Sequence, residues 1–144
     1  MWFESRGKYG LKFIPPRKSS FAILKALKAN GIVAFVNDQF MGPPLGVEVD
    51  FFGEKAGTAM GLALFAMKSK VPVIPFYTFR NANGVHVCRC GDEIPFDELE
   101  NKDDTIKHMT QKYTKVIEDI VREHPENWMW VHRRWKKGKF NDSK

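Results

Sequence analysis

Asp38 and Gln39 close the apolar run Ile32-Val33-Ala34-Phe35-Val36, and that position makes them the first candidates for chemistry. A continuous apolar run of this kind reads as a central strand buried on both faces, and open α/β sheets form their ligand crevices at the carboxyl ends of such strands. A carboxylate placed there can orient a basic side chain or accept a hydrogen bond from a substrate hydroxyl. Asp38 can equally serve as an Asx-type turn or cap. Gly46, Gly53, Gly57 and Gly61 follow, but they match neither Gly-x-Gly-x-x-Gly nor a Gly-Lys-Ser/Thr phosphate loop. Turn chemistry, with close packing at Gly57 and Gly61, is the preferred reading. Thr58 stands where a helix N-cap is expected, and the amides exposed at a helix start can also bind an anion.

His86, Cys88 and Cys90 alternate along an extended segment and so share one face. At about 3.3 Å per residue the outer two stand roughly 13 Å apart, too far to share an ion through bonds near 2.3 Å. No metal is expected, and no cofactor motif is present. The two thiols are poorly placed for an unstrained bridge, and so few cysteines suit a reducing compartment. No Gly-x-Ser-x-Gly elbow occurs, and neither cysteine lies in a recognised catalytic motif.

The far end of the chain concentrates aromatic and basic residues: Trp128, Trp130 and Trp135 interleave with His132, Arg133, Arg134, Lys136 and Lys137. Six basic residues face two acids between positions 125 and 144, a large part of the net charge of +6. Such a tail suits stacking on nucleic acid, anchoring at a membrane interface, or a helix docked onto the core with a solvated basic edge. Charge alone does not choose among polyanions.

The elements that must position these residues follow from periodicity. Ser19 or Ser20 caps an amphipathic helix carrying Phe21, Ile23, Leu24 and Leu27, which Asn30-Gly31 stops. Val47, Val49 and Phe51 alternate with Glu48 and Asp50, as in a half-exposed strand. A buried helix is expected from Thr58 through Met67, then a strand over 71–79 limited by Pro72 and Pro75. Asn81-Ala82-Asn83-Gly84 turns that strand into a hairpin with 85–90. The longest helix runs from about Asp103 to Glu123 and ends at His124-Pro125. Helices interleaved with strands predict an α/β fold, a three-layer α/β/α domain with a mixed sheet, as one compact unit.

Length and composition agree. The 144 residues, 43% hydrophobic and 28% charged, exceed what a core needs without disulfides and exclude collagen-like and disordered classes. No apolar run reaches the roughly 18 residues of a membrane span, and Met1-Trp2-Phe3-Glu4-Ser5-Arg6 has no signal-peptide h-region, so a soluble chain is expected.

Two stretches together resemble the lipid A biosynthesis acyltransferases (lauroyl/myristoyl transferases) of Gram-negative bacteria, within the lysophospholipid acyltransferase superfamily. The first is Asp38-Gln39, Gly42-Pro43, Gly46, Val49, Phe51-Phe52-Gly53, Ala56, Thr58, Gly61 and Ala63. The second is Pro125-Glu126, Trp128-Met129-Trp130 and His132-Arg133-Arg134-Trp135-Lys136. Val73-Ile74-Pro75-Phe76 resembles the family's proline-bearing strand.

The family carries a His-x-x-x-x-Asp/Glu motif, whereas five residues beyond the histidines here stand Gly91, Tyr113, Met129 and Lys137. The resemblance therefore implies the C-terminal half of such an enzyme, with residues 1–140 a partial acyltransferase domain and 141–144 a disordered tail. It implies transfer of a fatty acyl chain from an acyl carrier protein thioester to a hydroxyl of a phosphorylated glycolipid acceptor. The missing histidine would be the general base, so the chain alone is expected to be inactive. Asp38, with Gln39, resembles the supporting acidic position, and Arg6 the anion-binding arginine, with Arg17 the competing candidate; Thr58, Arg133 and Arg134 complete the substrate-binding candidates. A guanidinium suits that task because it holds phosphate bidentately. The implied surroundings are the cytoplasmic face of the inner membrane, with a homodimer of the fragment as a further expectation. The alternatives are a basic nucleic-acid-binding module, less favoured, and a noncatalytic relic of the family.

Overall fold

The computed structural model describes residues 7–14, 19–136 and 140. Its elements run α1 (Ser19–Lys28), β1 (Gly46–Phe51), β2 (Glu54–Ala59), α2 (Gly61–Ser69), β3 (Phe76–Arg80), β4 (His86–Cys90) and α3 (Lys102–Glu123), followed by a 3-10 turn at Pro125–Asn127. Backbone contacts group the chain into two compact units that divide between Ala34 and Phe35, where one unit was expected.

In the first unit α1 ends as its sequence requires. Asn30 adopts φ 55°. Its N–H donates to the Leu27 carbonyl and that of Gly31 to Ala26, at 3.1 and 2.9 Å, which satisfies two carbonyls the last turn would otherwise leave open.

The second unit is mixed α/β, but its strands pair as two antiparallel hairpins, β1 with β2 and β3 with β4. The mixed sheet expected from the sequence is not formed among the described residues. The apolar run 32–36 forms no strand. A strand exists only through ladder partners, and no described backbone pairs alongside it; Ile32 is fully exposed and Val36 is 75% exposed. The expected cap at Thr58 is also overturned: Thr58 sits in β2 opposite Val47, and α2 begins at Gly61. The β1–β2 turn explains why. Phe52 and Gly53, with φ 56° and 78°, form a two-residue turn of the left-handed kind that matches strand twist, and it pulls 54–59 back along β1. Residues 71–75 precede β3 without belonging to it, while the Val73 and Pro75 carbonyls still accept from Ile94 and Gly91 at 2.9 Å.

The amphipathic helix α3 organises this unit. Asn101 caps it by accepting from the Asp103 N–H at 2.8 Å, and Asp103 and Asp104 place negative charge at its positive end. Ile106, Met109 and Tyr113 pack with Ala63 of α2 in the core. Thr110 and Thr114 are buried on the same helix, and each hydroxyl donates to the carbonyl four residues back at 2.7 Å. Gln111 closes the outer edge of β1: its Oε1 accepts from the Asp50 N–H at 2.7 Å and its Nε2 donates to the Asp50 carbonyl at 2.9 Å. One side-chain amide thus substitutes for a neighbouring strand.

Glu118 does the same for the turn. Its Oε2 accepts from the Phe52 N–H at 2.7 Å and its Oε1 accepts from Arg122 Nη2 at 2.8 Å. Burial alone would raise this carboxyl, but the Phe52 amide and the neighbouring Arg122 and Lys115 outweigh it, and the group titrates below its ordinary 4.5. A depressed folded-state value gives stability that stands above the ordinary value and is lost as pH falls through the folded one. Glu118→Gln should therefore lower the urea midpoint near neutral pH, with the difference from the parent shrinking as the medium is acidified below pH 4. A constant difference across that range would assign the loss to packing.

Candidate functional site

The residues of the two motif stretches meet on the β1–β2 hairpin. Residues 37–45 run beside β2: Phe40 forms an isolated bridge with Thr58, and the Met41 N–H donates to the Gly57 carbonyl at 3.1 Å. This approach explains two glycines. A Cβ at Gly57 or at Gly46 would collide with the Met41 carbonyl oxygen. Residues 128–136 return across the same hairpin from the far end of α3. The core-docking reading of the tail anticipated a helix; the described segment beyond the 3-10 turn is not helical.

Each inward side chain of the tail grips a different part of this assembly. Trp128 Nε1 donates to Asp38 Oδ2 at 3.2 Å. His132 Nε2 accepts from the Phe40 N–H at 3.0 Å, which leaves Nδ1 to carry the proton of the neutral ring. Trp135 stacks on Phe51, with ring centres 5.6 Å apart, and donates from Nε1 to the Phe51 carbonyl at 3.1 Å. Phe51 is fully buried, worth about 3 kcal/mol by transfer of its side chain from water.

Arg134 lies at the centre, 1% exposed. Its Nη1 donates to the Gly57 carbonyl at 2.5 Å, its Nη2 donates to Thr58 Oγ1, and its guanidinium lies 5.0 Å from the centre of the Phe51 ring. Burial pushes the guanidinium down to about 10, and the Asp38 charge opposes that shift. It therefore stays cationic at neutral pH. Its Nε is buried with no hydrogen-bond partner among the described residues.

The structure thus brings together Asp38, Thr58 and Arg134 among the sequence candidates. Asp38 is half-buried; Gln39 and Arg133 are exposed; Arg6 and Arg17 lie outside the described residues. Thr58 is buried beneath Arg134 rather than at a helix start. Trp128 and His132 are contacts that sequence reasoning did not assign. No alternation of residue type marks them in the sequence; the structure shows His132 and Arg134 turned inward and Val131 and Arg133 outward. Cys88 and Cys90 are exposed thiols on β4, and His86 meets Arg80 Nη2 at 2.8 Å. Two surface hollows of about 380 and 470 Å³ lie elsewhere, one beside Lys70 and Phe96, the other between Tyr77 and Ile120. Neither includes Asp38.

What this arrangement can do chemically is present a held carboxylate on the loop beside the hairpin, near a buried positive charge. The family model for the bacterial lipid A biosynthesis acyltransferases matches residues 1–137, and the chain belongs to that family. It is 30% identical over 141 residues to the lipid A biosynthesis lauroyltransferase of Escherichia coli (strain K12), covering 94% of this chain and 44% of that protein. It is 25% identical over 131 residues to the lipid A biosynthesis acyltransferase of Haemophilus influenzae (strain ATCC 51907 / DSM 11121 / KW20 / Rd), covering 91% of this chain and 40% of that protein. The chain spans less than half the length of these relatives.

The two tail arginines should separate in stability measurements. Arg134→Ala removes the bond accepted by the Thr58 hydroxyl and one of those accepted by the Gly57 carbonyl, and opens a cavity inside the fold, at a cost of roughly 2–4 kcal/mol. Arg133→Ala should stay within about 0.5 kcal/mol of the parent. Urea denaturation of both variants checks this, and equal losses would remove the structural role given to Arg134.

Proposed function

We propose that the chain forms part of an acyltransferase that moves a fatty acyl chain from an acyl carrier protein thioester to a hydroxyl of a lipid A precursor. In this reaction the acceptor oxygen attacks the thioester carbonyl, the carbon–sulfur bond breaks, and the carrier thiol leaves with the proton taken from the hydroxyl. The observation that carries the reading is the Asp38–Trp128 contact, which joins the two stretches that resemble the family into one site. Asp38 serves as the supporting acid. It orders the site or accepts from the acceptor, while a general-base histidine with its acidic partner comes from outside these 144 residues. Arg6 or Arg17 and the exposed Arg133 are the proposed phosphate contacts. The three-layer α/β/α arrangement is proposed for the complete enzyme.

The membrane face is proposed at the tail. Met129, Trp130 and Val131 are 65%, 55% and 88% exposed, and Arg133 and Lys136 are exposed beside them. An apolar tip flanked by basic residues fits an anionic leaflet, as at the cytoplasmic face of an inner membrane. No described helix is long and apolar enough to cross a bilayer.

Acyl transfer is tested by following release of free carrier protein in the presence of a lipid A precursor. The chain alone should give none, because a positioned general base contributes about 10²- to 10⁴-fold. In the complete enzyme Asp38→Ala should lower the rate far more than Asp50→Ala, whose carboxylate is exposed and paired with Lys55 at 3.0 Å. Turnover by the chain alone, or equal effects of the two substitutions, would overturn these assignments.

The membrane contact is tested by sedimentation with vesicles. Binding to anionic vesicles should be lost at high salt, since each basic residue contributes about 1 kcal/mol within a Debye length of roughly 8 Å. Replacing Arg133 and Lys136 by Gln should weaken it without lowering the melting temperature. Unchanged binding would assign the face elsewhere.

A further inference from the structure

We propose that Trp128 is a positioning residue for Asp38, holding one carboxylate oxygen so that the other faces a hydrogen-bond donor of the substrate. The inference rests on the reading of Asp38 as part of the acyl-transfer site. Among the described residues, the one hydrogen bond to this carboxylate comes from Trp128, onto Oδ2. Oδ1 has no protein donor there, and the side chain is half-buried, within reach of a ligand. An aspartate held at one oxygen on a loop would otherwise sample several rotamers, and only some would present Oδ1 in a productive direction.

The indole is itself fixed. Its ring meets Phe51, Trp130 and Trp135 edge-on, at centre distances of 5.6, 4.8 and 6.1 Å. Two residues beyond Asp38, the Phe40 N–H is held by His132. The loop is therefore pinned at positions 38 and 40 by two side chains from one tail segment. The donor is also neutral. An indole N–H offers a direction without a positive charge and leaves the second oxygen of the carboxylate free to accept. The nearby cation, Arg134, has both terminal nitrogens engaged on Gly57 and Thr58 and acts on Asp38 through its field.

The test has two arms. On the 144-residue chain, the indole N–H resonance missing from the Trp128→Phe spectrum identifies Trp128, and Asp38→Asn should shift that resonance more than those of Trp130 and Trp135. An unshifted Trp128 resonance overturns the contact. In the complete enzyme, Trp128→Phe and Asp38→Asn should each lower kcat by about tenfold or more, with KM for the thioester unchanged, as expected for one hydrogen bond to a charged group. The double variant should be no slower than the slower single one. Because Trp128→Phe also thins the aromatic cluster, a second variant carries 3-benzothienylalanine at 128, in which sulfur replaces the N–H and the ring volume is kept. It should show the same kcat loss at the parent's melting temperature. Parental kcat in that variant while Asp38→Asn is impaired overturns the positioning role alone. Parental kcat in Asp38→Asn removes the reading of Asp38 and this inference with it.

Discussion

A guanidinium shut away from water is the constraint on which the second unit depends. Removing an ion from water costs several kcal/mol after relaxation, so Arg134 can be buried only where partners offset that cost. The Gly57 carbonyl and the Thr58 hydroxyl take its two terminal nitrogens and the face of Phe51 covers the cation, while Nε has no partner among the described residues. Each partner then carries a requirement of its own. Position 57 must lack a Cβ because the Met41 backbone crosses it. Thr58 must point inward, which sets the pairing of Val47 with Thr58 and of Val49 with Ala56. A one-residue slip of β2 would turn Thr58 outward and leave the cation with one acceptor fewer. The tail and the hairpin thus specify each other.

Helix α3 supports the same hairpin from the other side. Gln111 and Glu118 are seven residues apart, two helical turns, and therefore share a face. Gln111 reaches the Asp50 backbone and Glu118 the Phe52 amide, so the helix closes both the open edge and the turn of the hairpin. A two-stranded hairpin is marginal by itself. Here it is held at its edge by an amide, at its turn by a carboxylate and on its face by a guanidinium.

What was legible in the sequence is the part set by local rules. Asn30-Gly31 as a helix stop, the period of α3, the alternation of Val47, Val49 and Phe51, and the 81–84 turn all depend on neighbours close in the chain, and each is found. What was not legible depends on distant partners. β2, Glu54-Lys55-Ala56-Gly57-Thr58-Ala59, has neither the aromatic nor the branched-aliphatic alternation of a strand, because its small residues make room for Arg134 and for Met41. The sequence reading assigned 54–57 to no element and began a helix at Thr58; tertiary packing decided otherwise. The run 32–36 shows the converse. It has every local mark of a buried strand, but local preference cannot supply the partner that a ladder requires. At the site, Asp38 was singled out for its place after that run, whereas what holds it is an indole ninety residues away.

The division of labour around Asp38 follows from the chemistry of its two neighbours. An arginine in direct bidentate contact would fix the carboxylate firmly but occupy both oxygens and neutralise the charge. An indole donates one hydrogen bond and gives direction without adding a charge. With Trp128 on Oδ2 and the terminal nitrogens of Arg134 engaged on Gly57 and Thr58, the direct contact to the carboxylate comes from a neutral group, and among the described residues Oδ1 has no donor. The engagement of Arg134 on Gly57 and Thr58 thus holds the hairpin while leaving Trp128, among the described residues, as the one side chain in direct hydrogen-bond contact with the acid.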